Sequence, residues 1–126
     1  MQGLEIHLVE AAPGIPLVQL RGEIDLHTCP ELRATLQQLM EAGQHTIVLN
    51  LAEVPYLDSA ALGVLVDAVR RARENHGGIY LTHVTPFVRR AFEITRLIKI
   101  FQVHDSVEAA VAAIGARPSE SAVAPP

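Results

Sequence analysis

The sequence predicts a single α/β domain, in which a mixed but largely parallel sheet of about five strands is packed with about four helices. Three observations support this fold class. The chain has 126 residues, the length of one domain. Apolar residues make up 49% of it, enough for a continuous core. After an initial strand pair, strand-like and helix-like apolar patterns alternate with short connections, and right-handed crossovers then make the sheet largely parallel.

The first elements are predicted to be a strand pair and a helix. Residues 4–9 alternate between apolar and polar side chains, as in a strand with one buried face, and residues 17–21 form its partner. Thr28 and Glu31 have the spacing of a capping box, which places a helix start here. Gly43 ends that helix as a left-handed cap. The apolar stripe of the helix consists of Leu32, Leu36, Leu39 and Met40.

The next strand and helix are predicted from residues 46–69. Residues 46–51 are nearly continuously apolar, which is typical of a central strand covered on both faces. A second helix begins at Asp58-Ser59, and Asp67 and Arg71 are expected to pair on its outer face. Its apolar stripe consists of Leu62, Leu65, Val66 and Val69. The segment His76-Gly77-Gly78 is expected to end it.

Three further elements complete the predicted domain. Residues 79–84 and 98–103 are expected to be strands, with a third helix starting at Thr85-Pro86 between them. A second capping box, from Asp105 to Glu108, starts the last helix, which Gly115 ends. The domain is therefore expected to span residues 1–115. The segment 116–126 is rich in Pro, Ser and Ala and is expected to be a disordered tail.

Composition excludes several classes of function. The formal net charge is −4, whereas a direct nucleic-acid partner favours a basic face. The only cysteine, Cys29, cannot form an internal disulfide or a cysteine zinc cluster. No apolar run approaches the roughly 20 residues that span a bilayer, and the N-terminal residues do not have the pattern of a signal peptide. A cytoplasmic protein that does not act at a membrane is expected.

Ser59 is the strongest candidate for regulated chemistry. It lies where the loop after the central strand enters the second helix, so its hydroxyl is expected at a helix N-terminus, where free N–H groups and the helix dipole favour an anion. A phosphate on Ser59 would be held by the same features. The alternative is that Ser59 serves only as an N-cap. A hydrolase nucleophile is not expected, because the positions two residues away are Leu57 and Ala61 rather than glycine.

Two carboxylates, those of Glu23 and Asp25, lie between the second strand and the first helix. They form either a polar turn or an acidic rim beside Ser59. Asp25 and Asp58 are too few to hold Mg²⁺, and no phosphate-cradling loop accompanies them. The six histidines are scattered and form no His-x-x-x-His pair. No metal or cofactor is therefore expected.

Two motifs together resemble the STAS-domain family. The segment Gly22-Glu23-Ile24-Asp25-Leu26-His27-Thr28, followed by Pro30-Glu31-Leu32-Arg33, is similar to the family's entry into its first helix. The segment Asp58-Ser59-Ala60-Ala61-Leu62-Gly63-Val64-Leu65 is similar to its switch loop, Asp-Ser-[Ser/Thr]-Gly-Leu-Gly. Ala60 and Ala61 replace the second hydroxyl residue and the first glycine of that loop. The resemblance covers residues 4–115.

The resemblance implies an anti-sigma factor antagonist in a partner-switching pathway, a binding protein rather than an enzyme. In such proteins a kinase-type anti-sigma factor phosphorylates the serine that follows the switch-loop Asp, which is Ser59 here. The unphosphorylated antagonist binds the anti-sigma factor and releases the sigma factor, and a PP2C-type phosphatase restores it. The partner-binding residues implied by the two motifs are Glu23, Asp25, Asp58, Ala60, Leu62 and Gly63.

The same family offers an alternative function. Some STAS proteins are accessory subunits of ABC-type phospholipid transport systems, and they can use the same helix face to bind the ATPase subunit. The sequence leaves this alternative open.

Overall fold

The order of elements is the predicted one, β-β-α-β-α-β-α-β-α, with a short 3₁₀ helix before the last strand. The structure is a computed structural model that describes residues 3–116. The elements are β1 (Glu5–Ala12), β2 (Ile15–Arg21), α1 (Cys29–Glu41), β3 (Thr46–Glu53), α2 (Ser59–Glu74), β4 (Gly78–Thr82), α3 (Pro86–Ile94), η1 (Leu97–Lys99), β5 (Gln102–His104) and α4 (Val107–Ala116). Ala116 is helical, and the rest of the predicted tail lies outside the described residues.

The five strands form one mixed sheet in the order β1-β2-β3-β4-β5. β1 and β2 are antiparallel, as in a hairpin, and the other neighbouring strands are parallel. The predicted fold class is confirmed. Because β2, β3 and β4 run in the same direction, the loops that follow them emerge at one edge of the sheet, which carries the candidate site.

Helices cover both faces of the sheet. The apolar faces of α1, α2 and α3 join one face in the main core. α4 covers part of the other face, where Leu17, Val48, Tyr80 and Ala110 form a second buried cluster. β3 is therefore buried on both sides, as its nearly continuous apolar run predicted, and Ile47, Val48 and Leu49 have no exposed surface.

The ends of α1 and α2 follow the same motif with different residues. Gly43 has φ +86°, and the N–H of Gln44 donates to the carbonyl of Leu39 at 2.9 Å, which confirms the predicted left-handed cap of α1. At the end of α2 the left-handed residue is His76, with φ +63°, and not a glycine. Gly77 is required for close packing instead, because a Cβ there would lie 1.9 Å from the carbonyl oxygen of His45.

The predicted strand at residues 98–103 is wrong over most of its length. Leu97–Lys99 form the 3₁₀ helix η1, which follows the left-handed residue Arg96, and β5 covers only Gln102–His104. Phe101 instead turns into the core, where its ring centroid lies 5.1 Å from that of Phe92. A short apolar run satisfies its burial equally well as a strand or as a turn, so its pattern does not decide between them.

Several predicted local contacts are also corrected. Asp67 pairs with Arg70, three residues on, rather than with Arg71. Ser106 caps α4 by accepting from the N–H of Ala109 at 3.0 Å, and α4 continues past Gly115 to Ala116.

No helix within residues 3–116 is both long enough and apolar enough to cross a membrane.

Candidate functional site

The two segments singled out in the sequence meet at the carboxyl edge of the sheet. Ile24, beyond the end of β2, forms a parallel bridge with Leu57, beyond the end of β3. The N–H of Ile24 donates to the carbonyl of Tyr56 and the N–H of Asp58 donates to the carbonyl of Ile24, both at 3.1 Å. The loop before α1 and the loop before α2 therefore form one connected surface.

Asp58 holds this surface together through both carboxylate oxygens. Oδ1 accepts from the N–H of Ala61 at 3.0 Å, which makes Asp58 the N-cap of α2. Oδ2 accepts from the N–H of Leu26 in the neighbouring loop at 3.1 Å. The carboxylate thus fixes the start of α2 and the position of the loop that leads into α1.

Ser59 is the first residue of α2 and not its N-cap, which corrects the alternative interpretation from the sequence. Its side chain is exposed. As a first-turn residue, its N–H has no acceptor within the helix. The hydroxyl is thus presented to solvent at a helix N-terminus, while the capping function is carried by Asp58.

Asp25 holds the turn that leads into α1, and the Thr28 side chain makes no capping bond to the helix. Oδ1 of Asp25 accepts from the N–H groups of His27 at 2.9 Å and Thr28 at 3.0 Å, and the Asp25 carbonyl accepts from the N–H of Cys29 at 2.7 Å. The predicted Thr28 capping box is therefore wrong, because the Thr28 hydroxyl accepts from the N–H of Asp25 and donates to the carbonyl of Glu23. The Thr28 N–H, followed by the N–H of His27, holds the pKa of Asp25 below its ordinary value.

The six predicted partner-binding residues differ in accessibility. Glu23 and Gly63 are exposed, and Asp25, Asp58 and Ala60 are half-buried. Leu62 is only 9% exposed and packs in the main core, so a partner can reach little of its side chain. At Gly63 an added Cβ would meet no atom within 4 Å, so the first two turns of α2 present an open face there.

Three exposed apolar side chains beside the site were not predicted as functional. Leu26 is 67% exposed, Tyr56 38% and Phe87 53%. The rings of Tyr56 and Phe87 are in contact, with centroids 5.4 Å apart. The position of Leu26 between Asp25 and His27, an apolar residue in a polar loop, was the signal available in the sequence.

Two kinds of polar group are available at this edge. Ser59 offers an accessible hydroxyl, and the half-buried carboxylates of Asp25 and Asp58 are engaged by backbone N–H groups. Across the part of the chain that the structure describes, no group of three or more His, Cys, Asp or Glu side chains is placed to hold a metal ion.

Comparison with known proteins agrees with this geometry. Residues 8–110 match the STAS domain family. Anti-sigma-B factor antagonists of Staphylococcus epidermidis and Staphylococcus aureus are each 34% identical to the chain over 91 residues, which cover 72% of this chain and 84% of each relative.

Solved structures share the fold at lower identity. An anti-sigma factor antagonist from Mycobacterium paratuberculosis superposes with a TM-score of 0.81 at 23% identity, covering 90% of this chain and 95% of that one. The Bacillus cell fate determinant SpoIIAA, in its phosphorylated form, superposes with a TM-score of 0.70 at 23% identity, covering 90% of this chain and 100% of that one. With a matching domain over most of its length, and relatives that share a third of the aligned residues, the chain belongs to the STAS domain family.

Proposed function

We propose that this protein is an anti-sigma factor antagonist whose partner binding is switched by phosphorylation of Ser59. Its unphosphorylated form binds a kinase-type anti-sigma factor in the cytoplasm and thereby releases the sigma factor. Phosphorylation of Ser59 by that kinase ends the binding, and a PP2C-type phosphatase restores it. The curated relatives named anti-sigma-B factor antagonists support this role.

The observation that carries the proposal is that Asp58 caps the helix while the neighbouring Ser59 leaves its hydroxyl exposed. Asp58 caps α2 and bonds to Leu26, whereas Ser59 is exposed at the first helical position. Because the hydroxyl is not the cap, its modification leaves the capping bond in place. The site can therefore change its charge without the helix losing its start.

The electrostatic surroundings favour a switch at an interface. Glu23 and Asp25 flank Ile24, which bridges to Leu57 just before Asp58 and Ser59. Three carboxylates thus lie on the loops around Ser59, and they suit a partner surface with basic residues. A phosphate adds about −1.5 to −2 charges at neutral pH. Because the partner's basic residues are already paired with these carboxylates, the phosphate is buried beside like charges without a partner of its own, which costs several kcal/mol.

Phosphorylation with the cognate kinase tests the site. The protein, incubated with the purified kinase-type anti-sigma factor of its source organism and Mg-ATP, should gain one phosphate by mass spectrometry. Ser59→Ala should gain none. Ser106→Ala is the matched control, because it removes a serine hydroxyl from the N-terminus of another helix, α4, and this variant should be modified like the wild type. Phosphate uptake by Ser59→Ala contradicts the assignment.

Recovery of partners from cells separates the two functions within the family. Affinity purification of the tagged protein should recover the anti-sigma factor, and phosphatase treatment of the lysate should increase the amount. Recovery of the ATPase subunit of an ABC-type phospholipid transport system instead favours the accessory-subunit function.

A further inference from the structure

We infer that the anti-sigma factor contacts this protein through an apolar belt that extends from Leu26 across the Ser59 site to the outer face of α3. The belt consists of Leu26, Tyr56, Phe87 and Ile94. It rests on the proposed function and adds α3, to which neither sequence motif extends, to the docking surface.

The exposure of these side chains is the first argument. Leu26 and Ile94 are 67% and 68% exposed, Phe87 is 53% exposed and Tyr56 is 38% exposed. Single exposed apolar residues are ordinary, but four large ones grouped on the two loops of the site and on α3 are typical of an interaction site. The remaining large apolar residues of similar exposure, among those that the structure describes, are Leu8 and Val9 on β1.

The belt is continuous with the switch residue. Leu26 lies beside Asp58, whose Oδ2 accepts its N–H at 3.1 Å. On the other side, Tyr56 precedes Asp58 by two residues, and its ring contacts Phe87 on α3. The hydroxyl of Thr85 donates to the carbonyl of Val54 at 3.0 Å and ties the start of α3 to the same loop. Both arms therefore meet at the loop that leads into Ser59.

α3 extends the second arm along one helix face. Phe87, Arg90 and Ile94 are exposed and recur at spacings of three and four residues, so they share a face. Val88 and Phe92 on the opposite face are fully buried. From Phe87 to Ile94 the helix rises about 10 Å. This face of α3 thus lengthens the belt without disturbing the core.

Charge at the two arms gives the docking a direction. Beside Leu26 lie the carboxylates of Glu23, Asp25 and Asp58. Around α3 the exposed or half-buried charges are Arg89, Arg90 and Arg96 against Glu93. The complementary partner surface has an apolar strip with basic side chains at the Leu26 end and acidic side chains at the Arg90 end. A reversed docking would place like charges together at both ends.

Alanine variants of the belt test this inference with the purified kinase-type anti-sigma factor of the source organism as the probe. Calorimetric titration should show binding about tenfold or more weaker for Leu26→Ala and for Phe87→Ala, since a few large side chains buried in an interface carry most of the binding energy. Leu8→Ala is the matched control: Leu8 is 52% exposed on β1, and its loss should change the affinity less than about twofold.

Arg90→Glu adds an independent readout. It should slow association, and the effect should shrink as salt is raised, because screening removes long-range attraction. Circular dichroism melts check that each variant is folded. If Leu26→Ala or Phe87→Ala does not fold, Ile94→Ala replaces it, because Ile94 is the most exposed residue of the belt.

The outcomes separate the two proposals. If the unmodified wild type does not bind the anti-sigma factor, the proposed function is wrong, and the inferred docking surface is wrong with it. If the wild type binds, and Leu26→Ala, Phe87→Ala and Ile94→Ala bind equally well, only the belt is wrong. Weaker binding by these variants, with Leu8→Ala unchanged, supports it.

Discussion

Asp58 and Leu26 are 32 residues apart in the sequence, yet the carboxylate of one accepts the backbone N–H of the other at 3.1 Å. Because the second oxygen of the same carboxylate caps α2 through Ala61, one side chain sets the geometry of two loops. Ser59 stands on this support and contributes nothing to the cap. Helix capping and the proposed switch are thus assigned to neighbouring residues.

This arrangement predicts opposite sensitivities at positions 58 and 59. Asp58→Ala should lower the free energy of unfolding by about 1–2 kcal/mol, because it removes a helix cap and leaves the N–H of Leu26 without its acceptor. Ser59→Ala should stay within about 0.5 kcal/mol of wild type, as an exposed substitution away from the cap. Urea unfolding measures both. A greater loss for Ser59→Ala than for Asp58→Ala would contradict the capping assignment.

Phosphorylation should change affinity far more than stability. Locally, the N-terminus of α2 offsets part of the added charge, by about 0.3–1 kcal/mol for an exposed anion. In the interface the unmatched dianion costs several kcal/mol, and each 1.4 kcal/mol is about tenfold in affinity. Titration of the anti-sigma factor should therefore show roughly hundredfold or greater weakening, with little change in Tm.

Two variants calibrate that measurement. Ser59→Asp should weaken binding only partly, because a carboxylate carries less charge and fewer acceptor oxygens than a phosphate. Ser59→Ala should retain binding. Equal affinities of the phosphorylated and unmodified proteins would overturn the switch.

Asp25 should make stability depend on acid pH. Its pKa is lowered from 3.8, mainly by the N–H of Thr28, so the folded state favours the ionised carboxylate. The stabilisation that the Asp25 carboxylate provides is fully present at a pH above 3.8, its ordinary pKa in the unfolded chain. Below that pH the stabilisation declines, because the unfolded chain takes up the proton first. It is lost as the pH falls through the lower pKa of the folded state.

Urea unfolding between about pH 6 and pH 3 should therefore show a shallower pH dependence for Asp25→Asn than for wild type. Glu41→Gln is the control, since it removes an exposed carboxylate at the end of α1 without the backbone bonds of Asp25. Identical curves for wild type and Asp25→Asn would show that these bonds do not favour the ionised form.

Two glycines should respond oppositely to alanine. Gly77→Ala would bring a Cβ to 1.9 Å from the carbonyl oxygen of His45, so the backbone must shift, and we expect a loss of about 1–3 kcal/mol or more. Gly63→Ala meets no atom within 4 Å inside α2 and should gain about 0.5–1 kcal/mol from helix propensity. Thermal melts of both variants give the comparison. A neutral Gly77→Ala would show that the approach to His45 can relax.

The sequence predicted the fold because its apolar patterns differ in period and alternate along the chain. The run at residues 46–51 identified the central strand, and the stripe from Leu32 to Met40 identified the buried face of α1. These signals are reliable since burial on a sheet or a helix face leaves little choice of side chain.

The helix caps were predicted wrongly where two neighbouring side chains could each accept the same backbone N–H groups. Asp58 and Ser59 both suit an N-cap, and which side chain accepts the first-turn N–H groups depends on the loop that packs beside them. At α1 the Thr28 hydroxyl bonds within the preceding turn instead of to the helix. The same reason hid the exposed apolar face of α3, a helix that the sequence did predict. Its exposed Phe87 and its contact with Tyr56 depend on a meeting of loops that spacing does not encode.

The placement of Ser59 one residue inside α2 has a genetic consequence. Under the proposed function, loss of this hydroxyl yields a folded, abundant protein that holds its anti-sigma factor permanently, so such alleles should be dominant and leave the regulon constantly expressed. Changes at Asp58 should deplete the protein and behave as recessive losses. A screen for mutants with constant expression of the regulon should therefore find substitutions of Ser59 repeatedly. Substitutions of Asp58 should instead be found among mutants that fail to express the regulon.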